Sequence, residues 1–381
     1  MKRRDFVKIS AVCGLGFSIS PVISKSVFSM DDTKPKTNIN EALKHPRTET
    51  SLPGKYPGKV IRIYNKDSVQ EDKINEDAVY KMVAAGMLAL TGKADLKDAY
   101  RQFFSDEDRI GLKVNPVAGP TLSTSLEIIR VIIRQLKETG IREENLLIWD
   151  RREFEMLECY ITPENFPGIK IIGTEQKDSA GSFYDKDGNL YGDKMIDREW
   201  YYWADTEEKY DAETLPYMVN EGKNSYFSRI VTQMVDKIIN IPILKNAGSS
   251  VTLCLKNLAY GSVSNTGRLH KQLWAETCAD VPAFPPLRDK VVLNIVDGIK
   301  GCFNGGPSAN PQFFCNYNTV LIGTDPVAVD RIGYDIVLKK RIEKKVQQSD
   351  NPRGRLFMEL ASKNGLGISD IDKIDLKTML L

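Results

Sequence analysis

The order strand, helix, strand within residues 110–150 decides the fold: IGLKVNPVAGPTLSTSLEIIRVIIRQLKETGIREENLLIWD. The apolar segments 110–115 and 146–150 have the length and composition of buried strands. Between them, residues 124–138 repeat apolar side chains at helical spacing, and Gly140 follows as a stop signal. Two strands that are joined through a helix run parallel in one sheet. Residues 110–150 therefore predict a βαβ unit.

The same alternation extends to both sides of this unit. Further strands are predicted at 60–64, 169–172, 238–244, 291–296, 319–322 and 371–376, and further helices at 78–90, 226–236, 250–258 and 327–346. The alternation breaks between residues 174 and 226, where aromatic and charged residues surround a hairpin tip at 185–189. We therefore predict an α/β fold with a mostly parallel sheet, helices on both faces and an inserted lid-like excursion.

The N-terminus carries a sequence typical of an export signal. Lys2-Arg3-Arg4-Asp5-Phe6-Val7-Lys8 matches the twin-arginine motif, and the apolar run after it is too short for a stable transmembrane anchor. We predict a twin-arginine signal peptide at 1–30, a linker or arm at 31–58 and an α/β domain at 59–381. The protein is then expected in the periplasm, with the twin-arginine export machinery as a partner. Because such proteins cross the membrane folded, the signal also hints at a metal ion or cofactor loaded before export.

Composition and cysteine spacing narrow the functional classes. The chain has 381 residues, 41% of them hydrophobic and 27% charged, with a net charge of +2. This composition fits a globular domain and gives no reason to expect a nucleic-acid partner. The five cysteines after the signal lack C-x-x-C spacing, which argues against a built-in iron–sulfur cluster and a structural zinc site. Cys302 and Cys315 form either a periplasmic disulfide or two buried apolar side chains.

Charged residues close five of the predicted strands, namely Lys113, Asp150, Lys245, Asp297 and Asp325. Because ligands bind beyond the carboxyl ends of parallel strands, we expect these residues on one edge of the sheet. The lysines form either a cradle for an anion or ion pairs with Asp150 and Asp297. Asp150 and Asp325 are candidate metal ligands, and Asp325 before Pro326 also fits a helix N-cap.

His270 is the histidine of the predicted α/β domain, and a loop rich in Gly, Ser and Asn precedes it. We predict that His270 transfers a proton, with Lys256 and Asp297 as further catalytic residues. Anion binding is assigned to the polar groups around it and to a loop whose backbone N–H groups are free. The predicted substrate-binding residues are Lys113, Asn115, Lys245, Asn257, Gly305 and Gly306.

Several motifs together resemble the family known as domain of unknown function 362. They are 111–115 (GLKVN), 239–245 (INIPILK), 255–258 (LKNL), 268–270 (RLH), 294–299 (NIVDGI), 305–307 (GGP) and 323–330 (GTDPVAVD), spread over roughly residues 108–338. The resemblance implies an exported member without the ferredoxin module that some relatives carry. The family pattern usually has Thr-His after the lysine that corresponds to Lys245, whereas this chain has Asn246-Ala247.

These features predict an exported enzyme that acts on a small anionic substrate, a hydroxy acid or a uronate-type sugar. Isomerase, lyase and redox chemistry all fit a lysine cradle with a histidine acid/base. The alternative is a periplasmic ligand-binding or cofactor-delivery protein without turnover.

Overall fold

A large mixed sheet forms the centre of the protein in the computed structural model, which describes residues 34–381; the predicted signal peptide lies outside them. The strands are β1 (Lys59–Tyr64), β2 (Val69–Gln70), β3 (Lys73–Ile74), β4 (Ile110–Lys113), β5 (Leu146–Arg152), β6 (Lys170–Glu175), β7 (Ile196–Trp203), β8 (Asn224–Ser228), β9 (Lys237–Asn240), β10 (Ile243–Ala247), β11 (Ser250–Thr252), β12 (Val291–Cys302), β13 (Phe314–Gly323) and β14 (Asp375–Leu380). Two pairs, β2–β3 and β7–β8, form small separate sheets.

The main sheet has the order β14-β1-β13-β12-β9-β4-β5-β6. All neighbours along this path are parallel except β13, which runs antiparallel to both β1 and β12. The long strand β12 pairs first with β9 and then, beyond the end of β9, with β10. The predicted α/β fold with a mostly parallel sheet is confirmed.

Helices cover both faces of the sheet, as expected for strands connected by crossovers. They are α1 (Ile39–Lys44), α2 (Glu76–Thr91), α3 (Leu96–Tyr100), α4 (Leu126–Glu138), α5 (Glu153–Glu158), α6 (Cys254–Ser262), α7 (His270–Asp280), α8 (Pro285–Arg288), α9 (Pro326–Glu343) and α10 (Leu356–Lys363). Helices α2 and α4 pack their apolar sides on Ile239 and Ile295, whereas α6, α7 and α9 pack on Leu244 and Val296 from the other face. Each such buried aliphatic side chain contributes about 1.5–3 kcal/mol.

Three element predictions are wrong in instructive ways. Residues 226–236 are not a helix: β8 pairs with β7 there, and a π-helical turn follows at Ile230–Met234. The predicted strand 238–244 is two strands, β9 and β10, because Pro242 between them has no N–H for the ladder. The predicted helix 250–258 begins as the short strand β11 before α6 starts at Cys254.

The excursion and the N-terminal segment both lie outside the main sheet. The predicted hairpin tip is present, since Asp185 N–H donates to the Asn189 carbonyl 2.9 Å away. The segment between Lys34 and Gly58 contains α1 and buries Ala42 and Leu52 against the domain. The domain boundaries themselves stay a prediction. Within residues 34–381, no helix combines the length and apolarity needed to cross a bilayer.

Candidate functional site

A cavity of about 240 Å³ opens beyond the carboxyl ends of β4 and β5, next to α6 and the start of α7. We call it the His270 cavity. Its lining includes Asn115, Asp150, Arg151, Arg152, Lys256, Asn257, Tyr260 and His270. Parallel strands ending beside a helix start produce such a crevice in open α/β sheets, as the sequence predicted.

Lys113 lies fully buried beneath the cavity, behind Asp150 and Asn257. Its ammonium contacts Asp150 Oδ1 and donates to Asn257 Oδ1 at 3.0 Å and to the Val114 carbonyl at 2.8 Å. Burial lowers the pKa of Lys113, and the charge of Asp150 partly opposes that shift. Gly261 makes room for this lysine, because a Cβ there would lie 2.3 Å from Lys113 Cε. Lys113 therefore forms an internal ion pair and does not line the cavity.

A chain of buried amides leads from Lys113 across the sheet. Asn257 Nδ2 donates to Asn240 Oδ1 at 2.8 Å, Asn240 Nδ2 donates to Asn294 Oδ1 at 2.9 Å, and Asn294 Nδ2 donates to the Thr324 carbonyl at 3.2 Å. An ammonium only donates and a carbonyl only accepts, so the two ends fix the orientation of every amide in between. We call this set the asparagine chain.

The asparagine chain also fixes the orientation of Asn115. Asn115 Nδ2 donates to Asn257 Oδ1 at 2.9 Å, which leaves Asn115 Oδ1 as the free atom of that amide. Asn115 is 3% exposed and lines the His270 cavity, and its Oδ1 has no hydrogen-bond partner within the described chain. A buried acceptor without a partner is costly unless a ligand or water supplies a donor. Asn115 Oδ1 is therefore an unpaired buried acceptor in the wall of the His270 cavity.

Two cations at the cavity are suited to an anion. The half-buried Lys256 has its ammonium 5.7 Å from the centroid of the Tyr260 ring and has no hydrogen bond or ion pair with any residue in the range 34–381. Burial lowers the pKa of Lys256. The guanidinium of Arg151 contacts Thr266 Oγ1 and lies 3.6 Å from Glu175 Oε1. An ammonium without a protein partner is the strongest indication of a ligand here.

His270 begins α7 at the rim of the cavity. Its Nδ1 lies 3.1 Å from the Thr266 carbonyl, and its ring centroid lies 4.3 Å from that of Tyr260. Because a carbonyl only accepts, Nδ1 carries the proton and Nε2 is the basic nitrogen of the neutral ring. The ring is exposed on one side, yet burial, followed by the charges of Lys256 and Arg151, lowers its pKa to about 4. His270 is thus a neutral base at ordinary pH.

Lys245, Gly305 and Gly306 lie near the cavity without lining it. The buried ammonium of Lys245 contacts the Val117 carbonyl, and Val117 lines the His270 cavity. Burial, followed by the charge of Lys256, lowers the pKa of Lys245 to about 7. Gly306 serves close packing, because a Cβ there would lie 1.8 Å from the Asn246 carbonyl oxygen. Neither glycine lines the His270 cavity, and their role in anion binding stays a prediction.

The lowered pKa of Lys245 should make the stability of the fold depend on pH. Its pKa is about 7 in the folded protein against 10.5 for an ordinary lysine, so the unfolded chain binds more protons between these values. The free energy of unfolding should rise with pH through this window, by at most about 1.4 kcal/mol per pH unit from this residue. Urea unfolding between pH 7.5 and 9.5 measures the slope, which should be smaller in Lys245→Met. An equal slope in both proteins contradicts the assignment.

Asp297 does not share the His270 cavity, although it was predicted to be catalytic with His270. Along β12, Asn294 and Val296 point to the face that carries α6, whereas Ile295 and Ile299 point to the face that carries α4. Asp297 points to the same face as Ile295 and Ile299. Its carboxylate accepts hydrogen bonds from Ser125 N at 2.8 Å and from Ser125 Oγ at 2.6 Å, at the start of α4. Burial raises the pKa of Asp297. It lines a different cavity, of about 630 Å³.

Asp325 lies away from the other strand-end residues, so the prediction of one shared edge is wrong for it. Strand β13 runs antiparallel, and its carboxyl end therefore points toward the amino ends of the parallel strands. Asp325 caps α9 by accepting from Ala328 N at 2.9 Å, and it also accepts from Gly58 N and Ile368 N, each at 3.0 Å. The structure does not bring Asp150 and Asp325 together as metal ligands. Within residues 34–381, no group of three or more His, Cys, Asp or Glu side chains is arranged to hold a metal.

Cys302 and Cys315 are free thiols on adjacent strands. Residue Cys315 pairs with Gly301, and Cys302 pairs with Phe314. Facing residues in a ladder share a side of the sheet, so the two sulfur atoms point to opposite sides. The disulfide alternative is therefore wrong for this register, and Cys302 packs with Leu122 and Ile243 as a small apolar side chain.

The sequence prediction missed Arg151, Arg152 and Tyr260 as site residues. A usable signal was present, because Arg151 and Arg152 directly follow Asp150 at the end of β5. Tyr260 lies one helical turn after Lys256 on α6, which places both side chains on the same side of that helix.

Comparisons with known proteins give a match to one family model over part of the chain and indicate no activity. No functionally curated protein matches the chain. A crystal structure of a Thermotoga maritima protein aligns with 77% of this chain at 11% identity and a TM-score of 0.35, and the chain spans 60% of the length of that protein. Residues 204–335 match the model of a domain of unknown function, DUF362, and this region contains Lys256, Asn257 and His270. This match agrees, over residues 204–335, with the resemblance to the DUF362 family that the sequence motifs predicted.

Proposed function

We propose that the protein is an enzyme that binds a small carboxylate, a hydroxy acid or a uronate-type sugar, in the His270 cavity and removes a proton from it. The observation that carries this proposal is the ammonium of Lys256, which lines the cavity and lacks an ion pair within the described chain. A substrate carboxylate would supply the missing anion, with Arg151 as the second cation.

The remaining groups of the cavity suit a hydroxyl-bearing acid. Asn115 Oδ1 can accept from a substrate hydroxyl. Neutral His270 can take a proton at Nε2 from the carbon next to the carboxylate, while Lys256 and Arg151 stabilise the negative charge that then develops. Proton removal at this carbon is the first step of isomerase and lyase chemistry on carboxylic acids.

Replacing Lys256 by methionine should weaken the binding of lactate, glycerate or glucuronate by about 10- to 100-fold. This is the usual effect of losing one hydrogen bond to a charged group. Titration calorimetry measures the affinities, and Lys271→Met on the exposed side of α7 is the matched control. Equal affinity of wild type and Lys256→Met for every acid that binds would contradict the proposal.

The alternative, a carrier without turnover, makes a different prediction for the same ligands. A carrier would bind the acid through Lys256 but leave its α-proton in place. Incubation in deuterated water followed by proton NMR separates the two functions. Exchange of the α-proton supports the enzyme, and binding without exchange of any bound acid supports the carrier.

We also propose export by the twin-arginine route, on the basis of the motif around Arg3 and Arg4, which lies outside the described residues. Changing both arginines to lysine should leave the precursor in the cytoplasm, because this route requires the arginine pair. Cell fractionation and immunoblotting measure the distribution. Normal periplasmic accumulation of the double variant would refute this route.

A further inference from the structure

A second cavity, of about 250 Å³, adjoins the His270 cavity. Arg151, Arg152 and His270 line both spaces, so the two are neighbours around the same side chains. We call the second space the outer cavity. Its other wall comes from the excursion, including Tyr210 and Tyr217. The two cavities are therefore candidates for neighbouring subsites of one ligand.

The two cavities differ in charge. The His270 cavity is lined by the cations Arg151, Arg152 and Lys256 and by one carboxylate, Asp150. The outer cavity is lined by three cations and three carboxylates, and its buried Glu175 lies 3.0 Å from Arg152 Nε and 3.6 Å from Arg151 Nε. The electrostatic attraction for an anionic group is therefore stronger in the His270 cavity, whereas the outer cavity favours a polar group without net charge.

The walls of the outer cavity combine aromatic rings with planar hydrogen-bonding groups. Tyr210 packs over Gly267, where a Cβ would lie 2.7 Å from Tyr210 Cε1. Tyr217 lies with its ring centroid 4.7 Å from the Arg152 guanidinium and accepts from Arg152 Nη2 at 3.2 Å. Apolar ring surface beside carboxylate and guanidinium groups matches a sugar ring, which has an apolar C–H face and hydroxyls at its edge.

We infer that the substrate is a sugar acid of two units, with its carboxylate unit in the His270 cavity and a neutral sugar ring in the outer cavity. This inference rests on the proposed function, and it adds the second unit and the residues that select it. Tyr210 and Tyr217 are then specificity residues of the outer cavity, separate from the anion-binding residue Lys256.

The test compares one acid with and without a second ring. Calorimetry measures the affinity of the wild type for gluconate and for lactobionate, maltobionate and cellobionate, which carry gluconate linked to a neutral hexose. At least one of the three should bind about tenfold more tightly than gluconate, as expected when a ring packs against aromatic side chains. Tyr210→Ala should reduce this gain to less than about twofold without a comparable change for gluconate, which does not need the outer cavity.

Two further variants show whether the effect depends on the position of the Tyr210 ring. Tyr184→Ala, on an exposed position of the same excursion, is the matched control and should keep the full gain. Gly267→Ala displaces the Tyr210 ring without deleting it, and it should reduce the gain as Tyr210→Ala does. Lys256-dependent binding of gluconate with no gain from any second ring overturns the inference and leaves the proposed function standing. If neither gluconate nor a two-ring acid binds in a Lys256-dependent way while lactate, glycerate or glucuronate does, the inference alone is overturned. If none of these acids binds in that way, the proposed function is overturned as well.

Discussion

Replacing His270 by glutamine should slow proton exchange at the α-carbon of a bound hydroxy acid by about 10²–10⁴-fold, the usual contribution of one acid/base group. Glutamine retains a donor for the Thr266 carbonyl, and the ring is exposed on one side, so the stability of the fold should change little. Proton NMR in deuterated water measures the exchange rate, and calorimetry verifies that the acid still binds. His45→Gln, in the segment before β1, is the matched control.

The pH dependence of the same exchange separates a base from a structural histidine. With a pKa of about 4, His270 stays neutral over most of the accessible range, and the rate should fall only as the pH drops toward 4. Lys256→Met removes one of the cations that lower the pKa of His270, so the fall in rate should occur at a higher pH than in the wild type. Burial should still keep this pKa below its ordinary value of 6.5. A wild-type rate that His270→Gln leaves unchanged would contradict the catalytic role.

Replacing Lys113 by methionine should lower the free energy of unfolding by about 3–5 kcal/mol, because it leaves the Asp150 carboxylate buried without its cation. The two side chains are 0% and 5% exposed, so solvent does little to screen the lost charge. Asn257 Oδ1 also loses one of its donors. Urea unfolding measures the change, with Lys170→Met on an exposed position of β6 as the control.

The double variant Lys113→Met/Asp150→Leu shows whether the uncompensated charge is the cause. Removing both charges should recover most of the lost stability, since apolar side chains of similar size often replace a buried ion pair at little cost. A single variant that loses less than about 1 kcal/mol would contradict this account. A double variant as unstable as Lys113→Met would point instead to lost packing.

Local periodicity was sufficient for most of the scaffold. The predicted segments at 60–64, 110–115 and 146–150 are strands β1, β4 and β5, because apolar runs bounded by turn residues report on local structure. The prediction for 226–236 failed because the π-helical turn after β8 and the pairing of β8 with β7 depend on contacts distant in sequence. Helix α7 was missed for a different reason: its apolar residues give almost no helical periodicity.

The candidate site was predictable where it depends on strand ends and not where it depends on strand direction or side-chain face. Lys256, Asn257 and His270 line one cavity beside the ends of β4 and β5, whereas Lys113 and Lys245, predicted to share it, do not line it. The position of Asp325 required knowing that β13 is antiparallel, and that of Asp297 required knowing which face of β12 it occupies. Neither property can be derived from a strand read in isolation.

The asparagine chain makes the geometry of the site depend on the alignment of the strands in the main sheet. It crosses from β4 through α6, β9 and β12 to the residue after β13, and each link needs its neighbour in register. A shift of β9 by one residue would turn Asn240 to the opposite face of the sheet and break its hydrogen bonds with Asn257 and Asn294. The polar atoms of these amides would then be buried without partners. A misaligned sheet would thus be destabilised at the proposed substrate site. On the proposed twin-arginine route the chain crosses the membrane already folded and has no later opportunity to correct such an error. A cavity that forms only on a correctly aligned sheet would then couple correct folding to ligand binding.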